Sequence, residues 1–326
     1  MPSTQPDRSS AVSDAGGLAL FAELSAVIIA AGVDEPMVLV RPGAPVDTLP
    51  AGPLQSEHRT LEAGLRAWVE QQADLHLGYV EQLYTFGDAD RIDMPARGSR
   101  SLSVAYLALV RALRASARSG ARWQNVYTYL PWEDWRDGRP AVLETIEAYL
   151  KAWAAKGSAE TSTLREKRAA LAFGLGTDSW SDELVLDRYE LLYEAGFVRE
   201  ARRDGEPSPL LPEIDHPMGL DHRRILATAL GRLRGKIKYR PVIFELMPEN
   251  FTLLDLQRTV EGLSGVRLHK QNFRRLVETQ GLVEETGELQ TDTGGRPARL
   301  VRFRREVLLE RPSPGLRLSS TKRPPI

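Results

Sequence analysis

Residues 49–88 decide the fold of this chain: LPAGPLQSEHRTLEAGLRAWVEQQADLHLGYVEQLYTFGD. A loop containing Pro50, Gly52 and Pro53 leads into a segment whose apolar residues recur at helical spacing. These apolar residues are Leu61, Leu65, Trp68 and Val69. A strand-like run over residues 78–86 follows. The stretch therefore predicts a loop, an amphipathic helix and a strand in succession.

The frame of this stretch resembles the Nudix box, a loop-helix-loop that holds magnesium over a nucleoside diphosphate. The family pattern is G-x5-E-x7-R-E-U-x-E-E-x-G-U, in which U is an aliphatic residue. If one extra loop residue is allowed, the frame is kept at Gly52, Leu61, Glu70 and Leu75. The box's Arg-Glu pair falls on Ala67 and Trp68, its two glutamates on Gln71 and Gln72, and its glycine on Asp74.

These replacements remove the carboxylates of the box. Magnesium prefers charged oxygen ligands, and residues three and four apart share one helix face. That face carries an indole and two neutral amides, at Trp68, Gln71 and Gln72. We therefore predict no metal site, no catalytic residue and no hydrolysis here, and Trp68 can simply pack against the loop. The alternative is an active Nudix hydrolase of nucleoside diphosphate derivatives with relocated carboxylates, for instance Glu57, Glu62 and Glu70.

The sequence after the box narrows the resemblance. LGYVEQLYTFGD, an arginine-rich loop and SVAYLALV resemble the Nudix-related transcriptional regulators of NAD metabolism. In that family a Nudix-like domain has commonly lost hydrolase activity and senses ADP-ribose or a related nucleotide. The resemblance implies such a nucleotide effector and no other cofactor.

The arginine-rich loop offers candidate ligands for a diphosphate. Arg91, Arg97 and Arg100 carry guanidiniums, which bind phosphate oxygens in a bidentate manner. The alternative is that these are solvated loop charges, since Asp88 and Asp93 are close enough in sequence to pair with them.

The C-terminal part of the chain predicts a winged helix-turn-helix. Residues 248–265, PENFTLLDLQRTVEGLSG, start a helix that Thr252 caps, and HKQNFRRLVETQG at 269–281 gives a second helix. A second helix of this kind enters the major groove of DNA. Its outward residues, the candidate DNA contacts, are Lys270, Gln271, Arg274 and Arg275. Residues 282–303 predict a β-hairpin wing with its tip at 294–297, which places Arg296 and Arg299 near phosphates or a minor groove.

Local charge favours double-stranded DNA as the partner of this domain. The whole chain has a net charge of −1, whereas residues 266–305 contain nine basic and five acidic residues, a net of +4. The same segment resembles the C-terminal domain of the regulator family. Because many winged helices bind proteins instead, a non-DNA adaptor stays open as an alternative.

The middle of the chain gives fewer functional signals. Tyr127, Tyr129, Trp132 and Trp135 form an aromatic cluster that is more typical of a core than of an adenine site. A helix is predicted over 142–156, then a polar break over 157–163. A second helix is predicted over 183–201, where YELLYEAGF imitates the tail of the box but lacks its front half.

Length and composition complete the prediction. A chain of 326 residues without cysteine favours two domains and a cytoplasmic location. The apolar run 18–33 contains Glu23 and is too short to span a bilayer, so no membrane partner is expected. The fold class is α+β, a Nudix-like α/β/α sandwich with a mixed sheet, followed by a winged helix-turn-helix domain; the family and operator symmetry imply a homodimer. The predicted segments are a disordered tail (1–17), a ligand-sensing domain (18–201), a linker (202–217), a DNA-binding domain (218–308) and a flexible tail (309–326).

Overall fold

The N-terminal half is built on a six-stranded mixed sheet. The computed structural model describes residues 19–32, 34–43, 46–87, 99–111, 120–176, 179–203, 216–291, 297–316 and 318. The strands are β1 (Ala19–Ala31), β2 (Pro36–Val40), β3 (Ala51–Pro53), β4 (Tyr79–Phe86), β5 (Ser99–Val110) and β6 (Arg122–Asn125). Their order is β4-β5-β1-β2-β6, and β3 pairs with β1 beside this path.

The central strand β1 explains why the sheet is mixed. It runs parallel to β5 from Ala19 to Ala30 and antiparallel to both β2 and β3. Leu24 and Ile28 are buried against one layer and Val27 and Ile29 against the other. A strand covered on both faces reads as a continuous apolar run, which is how the sequence presents it.

Helix α1 (Leu61–Ala73) covers one face of the sheet. It begins where the Thr60 hydroxyl accepts a hydrogen bond from the amide of Ala63, and Leu65 and Val69 are buried beneath it. It ends at Asp74, whose φ of 52° lies in the left-handed region. The box segment therefore folds as the predicted loop, helix and strand.

Further helices share the core on the other face of the sheet: α2 (Val126–Tyr129), α3 (Val142–Ala154), α4 (Ala159–Phe173), α5 (Val185–Glu194) and α6 (Arg199–Arg203). Of these, α2 contacts strands β2 and β6, whereas α3, α4 and α5 pack in series, and the helix over 222–239 lies on β1, β4 and β5. Two expectations were wrong in this layer. Residues 159–163 are not part of a break, because Ser158 caps α4 by accepting from the amide of Thr161. The helix predicted over 183–201 is two helices, because Gly196 adopts a φ of 70° between them.

The C-terminal part of the chain contains helix α7 (His222–Tyr239), which packs against α5 and against strands β1, β4 and β5, and then a winged helix. The later elements are β7 (Phe251–Thr252), α8 (Leu253–Ser264), α9 (Lys270–Gln280), β8 (Val283–Gln290), β9 (Ala298–Phe303) and α10 (Val307–Glu310). The strands form a sheet of order β7-β9-β8. Thr252 and Asp255 complete the predicted capping box at the start of α8. The predicted fold class, a Nudix-like α+β domain followed by a winged helix, is confirmed.

Three further expectations meet the structure only in part. All of the predicted N-terminal tail (1–17) and residues 204–215 of the predicted linker lie outside the described residues, so the domain boundaries stay predictions. Residues 292–296 at the tip of the wing, including Arg296, also lie outside them. None of the described helices combines the length and apolarity needed to cross a membrane.

Candidate nucleotide and DNA interfaces

The helix of the degenerate box binds the preceding loop through neutral side chains. The indole of Trp68 donates a hydrogen bond of 2.9 Å to the carbonyl oxygen of Pro53. Its ring lies directly against Gly52, where a Cβ atom would come within 2.4 Å of the indole. Only glycine fits this contact, so the loop and the indole are matched to each other.

Gln72 repeats this arrangement one turn further along α1. Its side-chain Oε1 accepts from the amide of Ala51 at 3.2 Å, and its Nε2 donates to the carbonyl of Ala51 at 2.7 Å. Gln72 therefore forms with Ala51 of β3 the two hydrogen bonds that the backbone of a neighbouring strand would form. Gln71 is exposed. Trp68 and Gln72, two of the three positions that would carry carboxylates in the box, thus form hydrogen bonds with the backbone of the preceding loop.

The structure supports the alignment of the box itself. Asp74 occupies the glycine position and adopts the left-handed conformation that a glycine would take there. Val69 and Leu75 occupy the aliphatic positions, and both are buried. The missing carboxylates are therefore replacements within an intact frame.

The relocated carboxylates do not converge. Glu62 pairs with Arg66 at 2.8 Å, and Glu70 lies 3.6 Å from His76. Glu62 and Glu70 are eight residues apart on α1, which places them about 12 Å apart along the axis. Glu57 is exposed in the loop before the helix. Within the described ranges, no three side chains of His, Asp or Glu are grouped as metal ligands would be.

The predicted diphosphate ligands are only partly visible. Arg91 and Arg97 lie outside the described residues. Arg100 lies on β5, next to Leu20 of β1, and its side chain is exposed. It makes no ion pair with the described part of the chain.

The aromatic cluster belongs to the core. Tyr127, Tyr129 and Trp132 are at most 6% exposed, and the Tyr129 hydroxyl donates to a carboxylate oxygen of Asp47 at 2.6 Å. Trp135 packs partly buried against the same core, with its ring 4.7 Å from that of Trp180. These rings are already packed, so they offer no open platform for an adenine.

The second box-like fragment is a structural helix. Its glutamates, Glu190 and Glu194, form ion pairs with Arg224 at 2.7 Å and with Arg168 at 2.5 Å. Both carboxylates therefore link α5 to neighbouring helices.

Helix α9 presents the predicted DNA contacts to solvent. Phe273 and Val277 are buried and hold one face of the helix against the domain. Gln271 and Arg275 lie on the opposite face, and Lys270 and Arg274 lie to one side of the helix; all four side chains are exposed. Within the described part of the chain, none of these four makes an ion pair or a side-chain hydrogen bond.

The wing carries paired charges. Arg299 is exposed and forms an ion pair of 2.6 Å with Glu285 on the neighbouring strand. Arg302 pairs in the same way with Glu284 at 2.6 Å. Exposed pairs of this kind contribute at most about 1 kcal/mol. Arg299 can therefore exchange its carboxylate for a phosphate at small cost.

A family model described as the NrtR DNA-binding winged helix domain matches residues 243–303. This segment thus resembles the winged helix of NrtR. The ADPR responsive transcriptional repressor NtrR of Acinetobacter baylyi is 41% identical over 86 residues, which is 26% of this chain and 34% of that protein. The match thus spans about a third of the curated relative.

Solved structures with a similar fold align with most of the chain. Shewanella oneidensis NrtR in complex with a 27mer DNA aligns with a TM-score of 0.53 at 20% identity, over 87% of this chain and 94% of that one. A MutT/nudix family protein from Enterococcus faecalis aligns with a TM-score of 0.50 at 16% identity, over 90% and 88%. The chain therefore combines a Nudix-like fold with an NrtR-type winged helix, and the predicted resemblance is confirmed.

Sequence reasoning missed one buried cluster. Glu133 is fully buried and forms ion pairs with two buried arginines on different helices, Arg188 and Arg234. The only signal in the sequence is that Glu133 stands between aromatic residues that are expected in a core. Its two partners lie 55 and 101 residues further along the chain and carry no signal of their own.

Proposed function

We propose that this protein is a DNA-binding transcriptional regulator whose Nudix-like domain senses ADP-ribose or a related nucleotide without hydrolysing it. The observation that carries the proposal is the outer face of α9, where four basic or amide side chains are exposed on an NrtR-type winged helix. A cationic helix without internal partners suits a polyanion.

Helical geometry divides the roles of these side chains. At about 100° per residue, Gln271 and Arg275 project directly away from buried Phe273 and Val277. We assign these two to base edges in the major groove, where Gln pairs with adenine and Arg with guanine. Lys270 and Arg274, toward one side of that face, are assigned to phosphates. Arg299 and Arg296 of the wing are assigned to the adjacent backbone or minor groove.

The effector is proposed from the fold and from the relative's name. The Acinetobacter baylyi protein is named as an ADPR responsive repressor. In this chain Trp68 and Gln72 bind the loop backbone at positions where a hydrolase would need carboxylates. A site of this kind can hold a nucleotide but has little to hold the metal ion that hydrolysis requires. We assign the diphosphate to Arg91, Arg97 and Arg100.

We further propose that the protein acts as a homodimer. Two winged helices related by a twofold axis would bind two half-sites one helical turn apart. The effector would then alter DNA affinity by favouring one arrangement of the two subunits over another.

A binding titration tests the DNA and effector parts together. Fluorescence anisotropy would follow wild-type protein on labelled duplexes from the region upstream of its own gene, at several salt concentrations, with and without ADP-ribose. We expect salt-dependent binding to one duplex and a shift of its Kd by ADP-ribose but not by AMP. Absence of salt-dependent binding to every upstream duplex would overturn the regulator and favour the protein-binding adaptor.

A second assay tests the absence of hydrolysis. Purified protein would be incubated with ADP-ribose and Mg²⁺ or Mn²⁺, and the products separated by chromatography. We expect ADP-ribose to stay intact. Release of AMP at the rate of a working Nudix enzyme would overturn this part of the proposal and leave DNA binding to be judged by the titration.

A further inference from the structure

The fully buried carboxylate of Glu133 is clamped by two arginines from different helices. Arg188 of α5 donates to it through Nε at 2.5 Å and through Nη2 at 2.9 Å. Arg234 of α7 donates through Nη1 at 2.5 Å. One side chain that follows the sheet thus links α5 to α7, the helix that precedes the winged helix.

Residues of the same cluster form hydrogen bonds with the last turn of α8. Arg234 Nε donates to the carbonyl of Leu263 at 2.8 Å, and the Tyr127 hydroxyl donates to the carbonyl of Gly262 at 2.6 Å. The amide of Trp135 donates to the carbonyl of Gly265 at 2.7 Å. Carbonyls at a helix C-terminus have no partner within the helix. Here the donors are Arg234 of α7 and two residues of the segment that follows the sheet, Tyr127 and Trp135.

Close packing accompanies these bonds. Gly265 ends α8 with a φ of 69°, and a Cβ atom there would lie 2.3 Å from the carbonyl oxygen of Glu133. One turn before Gly262, Arg258 pairs with Asp34 in the β1–β2 turn at 3.3 Å, and a Cβ atom on Gly262 would lie 3.3 Å from the carbonyl oxygen of Asp34. The end of α8 is therefore packed against both the β1–β2 turn and the segment that follows the sheet.

The energetics favour a single geometry. Burial opposes ionisation of Glu133, but the two guanidiniums outweigh it, and the pKa of this carboxyl lies below its usual range. A buried network whose members are all hydrogen-bonded tolerates little change of angle, because each bond that lengthens leaves a buried charge without its partner. We name this cluster the α8 joint: Tyr127, Glu133, Arg188, Arg234 and Gly265.

We infer that the α8 joint makes the sensor sheet and the DNA-reading helices of one subunit move as one body, and that Tyr127 is a positioning residue for α9. Because α8 leads into α9 through the turn at 265–269, a fixed α8 fixes the angle of α9. Effector binding then reaches DNA through a change between subunits and not through a hinge within one. The effector part of this inference rests on the proposed function, whereas the rigidity of the joint does not.

A matched pair of tyrosine variants tests the joint. Y127F removes the hydroxyl group that donates to α8 and keeps the ring, and Y149F removes a hydroxyl group that donates to the carbonyl of Ala195 at 2.9 Å, away from α8. Hydrogen exchange of free protein would be followed by mass spectrometry. We expect peptides over 253–265 to exchange about fivefold faster in Y127F, as the loss of one hydrogen bond predicts, and to stay unchanged in Y149F. Equal exchange of these peptides in wild type and Y127F would overturn the joint.

The DNA titration then tests transmission. We expect the ratio of Kd with and without ADP-ribose to move at least twofold closer to one in Y127F, and to keep its wild-type value in Y149F. Faster exchange with an unchanged ratio would overturn the role of Tyr127 in transmission. If wild-type protein binds no upstream duplex, the proposed function fails, and the exchange data still decide the joint.

Discussion

Helix α7 and helix α9 of the winged helix use arginine in opposite ways. Arg223 and Arg234 of α7 are at most 2% exposed and pair at 2.5 Å with Glu200 and Glu133. Arg274 and Arg275 of α9 are exposed and make no ion pair within the described part of the chain. Basic composition alone does not locate a DNA surface, because the same residue type also holds domains together. Burial and pairing separate the two uses.

The largest effect is expected for a substitution in the buried cluster of Glu133, Arg188 and Arg234. E133Q keeps the shape of the side chain but leaves two buried guanidiniums without a counter-charge. Removing one partner of such a group costs about 3–5 kcal/mol. The free energy of unfolding, measured by urea titration, should fall by about this amount. The matched variant is E147Q, whose carboxylate pairs with Arg139 and is 30% exposed; it should lose at most about 1 kcal/mol. Equal losses in the two variants would contradict the contrast.

Lowering the pH should reduce the stability that ionised Glu133 contributes. The pKa of Glu133 in the folded protein is lowered by its arginines in spite of burial, so its stabilisation is complete above the unfolded value of about 4.3. As the pH falls from 4.3 through the folded pKa, the stability difference between wild type and E133Q should shrink. Urea titrations of both proteins at pH 7 and at pH 3 measure this. If the difference in free energy of unfolding between the two proteins grew toward pH 3, the lowered pKa of Glu133 would be contradicted.

Substitution of the exposed arginines of α9 should affect DNA binding and leave the stability of the fold unchanged. R274A/R275A should weaken binding to the upstream duplex about 100-fold, since each lost contact costs roughly 1–3 kcal/mol. Its free energy of unfolding should stay within about 0.5 kcal/mol of wild type. The control, K151A/K167A, removes two exposed lysines from α3 and α4 and should leave the Kd unchanged. If both double variants weaken binding alike, α9 is not the reading helix.

The smallest effect concerns the degenerate box. Q72A removes two hydrogen bonds to the backbone of Ala51 and should lower the free energy of unfolding by about 1–2 kcal/mol. Q71A changes an exposed side chain one residue earlier and should change it by less than about 0.5 kcal/mol. Thermal melts of both variants with and without Mg²⁺ are the measurement. If Mg²⁺ changed the melting temperature of one variant more than that of the other, the prediction that the degenerate box binds no metal would be contradicted.

Much of the fold was predictable because it is written in local patterns. The apolar run of β1, the helical spacing of Leu61, Leu65 and Val69, and the capping box at Thr252 each act over a few residues. The replacements Trp68 and Gln72 also stood in a recognisable frame, so the missing carboxylates could be identified without coordinates.

What escaped prediction depends on distant contacts or on single conformations. Gly196 divides one expected helix into two because it adopts a positive φ, which composition does not specify. Gln72 could be recognised as a lost ligand, but its pairing with Ala51 depends on where β3 lies. The partners of Glu133 come from helices far along the chain. A pairing of this kind exists only once the layers are assembled.

The contact between Gly265 and the carbonyl of Glu133 bears on attempts to build hybrid regulators. A donor reader module grafted after residue 215 would bring its own residue to the end of α8, and any side chain there would collide with the recipient's main chain 2.3 Å away. Grafts should succeed when the segment from Tyr127 to Arg136 travels with the incoming module. The interchangeable unit in this architecture is thus not continuous in sequence.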